Sequence, residues 1–108
     1  MYITTWNIES ETGYKPMTTF FEDFSIADRF GISAISDTYR SIKKNLKSLD
    51  YKYITELSMA LNWKIWEHYY KNNEPIARLY DKLWREICCW INDNFNKEEL
   101  SYFYRITD

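Results

Sequence analysis

Hydrophobic positions recur at steps of three and four along most of this chain, and the densest example is the stretch from Asp50 to Asn72. Ile54, Leu57, Leu61, Ile65 and Tyr69 form one apolar stripe of an α-helix. Met59, Ala60, Trp63, Trp66 and Tyr70 form a second stripe beside it. A surface helix carries a single apolar stripe and a polar back. A helix with two predicts neighbours on both flanks, so residues 50–72 read as the central helix of a small bundle, with Asp50 as its cap.

The same periodicity predicts four further helices. Phe20, Phe21, Phe24, Ala27 and Phe30 give a first helix, with Thr18 or Thr19 as cap, Glu22 completing a capping box, and Gly31 as its end. Ile32, Ile35, Tyr39, Ile42, Leu46 and Leu49 give a second helix with the cleanest single stripe in the chain. Asn73 followed by Pro75 opens a fourth. Its stripe is Ile76, Leu79, Tyr80, Leu83, Ile87, Trp90, Ile91 and Phe95. Asn96 with Glu99 opens a short fifth over about Lys97 to Arg105, burying Leu100, Phe103 and Tyr104. The short joints favour antiparallel neighbours. The central and fourth helices should form a hairpin, with the second packed along the central one and the first and fifth closing the ends. Leu57, Leu61, Trp63, Ile65, Leu83, Ile87 and Trp90 are the expected core. Residues 1–17 read as a short irregular or extended arm ahead of one all-α bundle domain over residues 18–108.

Composition supports this architecture. The 108 residues are one domain by size, and only two glycines and two prolines leave little turn material for a β-sandwich or barrel. The aromatic share is high at 19%, with ten Tyr, five Trp and six Phe. Large rings serve a core, and Tyr and Trp also serve interfaces. Rings not needed inside must meet a partner, and a symmetric homodimer is one way to cover them. No apolar run approaches the roughly 20 residues of a membrane span. The N-terminus lacks the basic start and apolar core of a signal peptide. Cys88 and Cys89 are adjacent and face different directions on a helix, so reduced thiols and a cytoplasmic setting are expected.

Candidate chemistry is sparse. His68 is the single histidine, with Lys64 rather than a carboxylate one turn back. Cys88 and Cys89 lack the spacing and companions of a zinc site. Glu22, Asp23 and Asp28 share one helix, yet Asp23 and Asp28 are five apart and poorly stacked. These patterns call for no catalytic residue, metal or cofactor. Asn62, a poor helix former mid-helix, reads as a buried polar bond that sets register. The one charge asymmetry is basic: Arg40, Lys43, Lys44, Lys47 and Lys52 against Asp50 alone within residues 38–52, while the whole chain is −2. That face suits nucleic-acid phosphate, an acidic partner or plain solvation.

The segments TTFFEDFSIADRFG (Thr18–Gly31), ALNWKIWEHY (Ala60–Tyr69) and EELSYFYRITD (Glu98–Asp108) resemble a family of small uncharacterised proteins encoded by phages, prophages and other mobile elements of gut anaerobes. The resemblance spans roughly Thr18 to Asp108. It implies a short accessory gene acting in the host-cell cytosol, and it supplies no catalytic or binding residues. Three functions follow as expectations. The first is a non-enzymatic protein that acts by binding another protein, such as an inhibitor of a host defence or regulatory complex. The second is a nucleic-acid-associated factor using the basic face, and the third a small enzyme using Asp23, Asp28 or His68.

Overall fold

The computed structural model describes residues 18–107, with side chains from Phe20 onward. The expectations for an arm over residues 1–17 and for a Thr18 or Thr19 cap lie outside what it describes. Among the described residues the fold is all-α: α1 (Thr18–Asp28), α2 (Ile32–Lys44), α3 (Tyr51–Tyr70), α4 (Glu74–Asn94) and α5 (Lys97–Thr107), with a 3₁₀ turn at Leu46–Ser48. No helix among them is long and apolar enough to cross a membrane.

Local chemistry sets the breaks. Gly31 takes φ 101°, a conformation that L side chains rarely adopt, and its N–H closes α1 on the Ala27 carbonyl. The second helix is shorter than its stripe. It stops at Lys44 and tightens at Leu46–Ser48, where the Ser48 hydroxyl donates to the Asn45 carbonyl at 2.8 Å. Such side-chain bonds compete with the helical ladder. Asp50 caps α3 by accepting from the Lys52 N–H at 2.9 Å. Asn72, at φ 58°, turns the chain between α3 and α4. Asn73 occupies the cap position of α4 without a side-chain cap bond, and Pro75 sits in the first turn. Asn96 and Glu99 form the reciprocal capping box at 3.0 and 2.9 Å.

The α3–α4 hairpin is the spine, and α1 and α5 flank α3. The α2 helix rests mainly on α1 and α4 rather than running along α3. The reason is occupancy: α1 already lies against that flank, with Phe20 packed on Tyr53 at 5.0 Å between ring centres. Leu57, Leu61, Ile65, Leu83 and Ile87 are buried as expected, and Trp90 is half-buried against them. In α5 the buried rings are Tyr102 and Phe103, while Tyr104 is exposed.

Trp63 corrects the expected core, because it is 44% exposed. Successive helical residues are about 100° apart, so Trp63 lies about 200° from Leu61 and points away when Leu61 faces α4. Trp66 and Tyr70 share its direction and are 55% and 85% exposed. Neighbours do flank α3 on two sides, but the residues buried there beside the apolar stripe include Thr55, Ser58, Lys64 and His68. Asn62 is exposed and sets no buried register.

Candidate functional site

Two features stand out, one inside the bundle and one on its surface. The internal one joins α1, α3 and α4. Asp28 closes α1 and aims its carboxylate at α3, where Lys64 and His68 are one turn apart and both buried. Lys64 Nζ lies 2.6 Å from Asp28 Oδ2 and 2.9 Å from Glu67 Oε1, and donates to Ser25 Oγ at 3.0 Å. It also sits over the Phe21 ring at 4.7 Å, a cation–π contact. From α4, Tyr80 OH donates to Asp28 Oδ1 at 2.5 Å, and its ring stacks on His68 at 5.5 Å and 14°.

The charges follow from these contacts. Burial alone would raise the Asp28 carboxyl, but bonds from Lys64 and Tyr80, the Lys64 charge and the His68 bond outweigh it and hold it below the usual value. Glu67 is lowered in the same way, with burial opposed by Lys71 and Lys64. Burial and the bond to Asp28 push the Tyr80 phenol far up, so it stays a donor. His68 Nε2 is 2.9 Å from Asp28 Oδ2. An ionised carboxylate only accepts, so Nε2 carries the proton. Nδ1 is buried without a hydrogen-bond partner among the described residues.

Asp28, Glu67 and His68 bring three donor atoms within 4.8 Å of one another, which is compact enough for a metal ion. The Lys64 ammonium, bonded to both carboxylates, already supplies the cation there. The arrangement is a filled ionic lock between helices. Lys64, Tyr80 and Glu67 were not singled out by sequence reasoning. The useful signal was a lysine at the inner edge of an apolar stripe, but its partner lies 36 residues earlier, on another helix.

The surface feature is aromatic. Trp63, Trp66 and Tyr70 line an open groove with Asn62 along the outer side of α3. Beside it, α3, α4 and α5 enclose a half-open groove of about 500 Å³, with Met59, Asn62, Trp63, Trp84, Tyr104 and Ile106 among its walls. Among the described residues, no charged side chain lines either groove. Cys88 reaches the larger groove, but burial, helped by Cys89, pushes its thiol up to about 11, which disfavours the reactive thiolate. Cys89 is exposed, and both cysteines are free.

The basic residues are dispersed rather than presented together. Arg40 pairs with Asp37 at 2.9 Å, and Lys43 pairs with Glu86 of α4. Lys52 lies over Tyr51 and Tyr102 at 5.8 and 5.5 Å. Lys44 and Lys47 are exposed, with no ion pair among the described residues. Asp23 is exposed. No protein-family model, curated protein or solved structure matches the chain.

Proposed function

We propose that this chain is a non-enzymatic binding protein that engages another protein through the outer face of α3 and the groove beside it. The observation that carries this reading is the contiguity of Trp63, Trp66 and Tyr70, all exposed on one helix and bordering an uncharged groove. Contiguous exposed apolar surface marks interaction sites, and Trp and Tyr dominate their energetics. The ionic lock supports the same reading, because Lys64 and His68 are buried and both carboxylates are bonded to Lys64 rather than turned toward a substrate. The setting, an accessory protein of a phage or mobile element acting on a host complex in the cytoplasm, is carried by the resemblance of Thr18–Asp108 alone. Nucleic-acid binding ranks second, since three of the five basic side chains are engaged within the fold and, among the described residues, only Lys44 and Lys47 stand clear.

A photo-crosslinking amino acid replacing Trp66 tests the proposal in host lysate. A discrete protein adduct, lost when the probe replaces the exposed Arg40 of α2, is the expected result. Equal labelling from both positions overturns it. Salt-sensitive retention on DNA or RNA that disappears in Lys44→Glu/Lys47→Glu would favour the second reading.

A further inference from the structure

The aromatic face contains both a projection and a recess. Trp66 and Tyr70 project from the C-terminal half of α3. The groove walled by Met59, Trp84 and Tyr104 opens one to two turns earlier on the same helix. Trp63, 44% exposed, lies between them. An isologous two-fold interface requires a surface that complements itself, with each copy offering what the other receives. We infer that this face binds a second copy of the same chain, the two α3 helices running antiparallel about an axis midway between Trp63 and Trp66. The inference rests on the interaction-surface reading above and names the partner.

Three observations support a second copy. Rotation about a point midway between Trp63 and Trp66 sets Trp66 of one molecule against Trp63 of the other and Tyr70 against Met59 at the groove wall, since residues equally spaced on either side of the axis are exchanged. The outward stripe Met59, Trp63, Trp66 and Tyr70 has steps of four, three and four, the spacing at which two helices stay in register along a seam. Among the described residues neither the stripe nor the groove walls carry a charge, so pairing these faces of two molecules strands no ion from among them.

The area is also sufficient. A covered aromatic side chain buries roughly 150–250 Å². Trp63, Trp66, Tyr70 and Tyr104 are each about half exposed or more, and together they would contribute roughly 450 Å² per copy on that scale. With the groove walls this brings the two copies together to about 1,000 Å², the lower end of a specific interface.

Sedimentation equilibrium of the full chain across a wide concentration range tests the inference. The expected result is a mass that doubles with concentration, and at least a tenfold weaker association in Trp66→Glu with an unchanged far-ultraviolet circular dichroism spectrum. Oxidation of Trp63→Cys/Trp66→Cys in a Cys89→Ser background should give a covalent dimer, and Arg40→Cys in that background should not. A mass that stays monomeric throughout, or a dimer unaffected by Trp66→Glu, overturns it. If such a monomer still crosslinks to a different protein through position 66, the homodimer falls and the interaction-surface reading stands. If it neither self-associates nor crosslinks, both fall.

Discussion

Lys64 Nζ lies 2.6 Å from Asp28 Oδ2, and the lysine is fully buried while the aspartate side chain is 17% exposed. This contact joins the end of α1 to the middle of α3. A buried lysine is costly unless paired and hydrogen-bonded, and here two carboxylates, a hydroxyl and an aromatic face surround it. Breaking such a pair from one side is strongly destabilising, because the remaining charge is stranded. Lys64→Ala is expected to cost about 3 kcal/mol in urea denaturation. Lys64→Met combined with Asp28→Asn should cost less than the two single changes added together, with a coupling of about 1–3 kcal/mol. Additive costs would show that the pair is not energetically linked.

The same contacts predict acid sensitivity. The folded carboxyls of Asp28 and Glu67 are lowered from 3.8 and 4.5, through bonds that outweigh burial. A depressed carboxyl stabilises the fold above its unfolded value, and that stability is lost as pH falls through the folded value. Stability should therefore decline from about pH 4.5 downward. The urea midpoint should fall less steeply with acid in Asp28→Asn than in the parent chain. Parallel slopes would rule out Asp28 as a source.

Backbone conformation predicts opposite effects at two joints. Gly31 sits at φ 101° with open space where a Cβ would lie, so any cost of Gly31→Ala is conformational strain rather than a clash. That substitution should lower stability by about 1–2 kcal/mol. Asn72, at φ 58°, already occupies a left-handed conformation, so Asn72→Gly should be neutral or stabilising by up to about 1 kcal/mol. Thermal melts of both variants check the pair of signs.

Two neighbouring large residues of α3 should separate stability from binding. Leu61 is fully buried and Trp63 is 44% exposed. Leu61→Ala should cost about 2–5 kcal/mol. Trp63→Ala should cost under about 1 kcal/mol, as surface changes do, yet weaken association. Loss of stability in Trp63→Ala comparable to Leu61→Ala would place that ring in the core after all.

How much was legible differed by residue. The stripe Ile54, Leu57, Leu61, Ile65 and the Asn96–Glu99 box were readable because both depend only on contacts within three or four residues. The ionic lock was not, since Asp28 and Lys64 belong to different helices and neither has a local pattern that names the other. Trp63 was misassigned because hydrophobicity alone does not report which side of a helix lacks a neighbour.

By itself, the order of apolar and polar residues determined the helices, their capping signals and the α3–α4 hairpin, because helical periodicity and short joints act locally. Only the tertiary structure decided that α2 leans on α1 and α4, that Lys64 is buried against Asp28, and that Trp63, Trp66 and Tyr70 face outward. Those outcomes depend on which flanks of α3 are occupied by α1, α4 and α5. That is a competition for space among distant segments, and no local spacing encodes it.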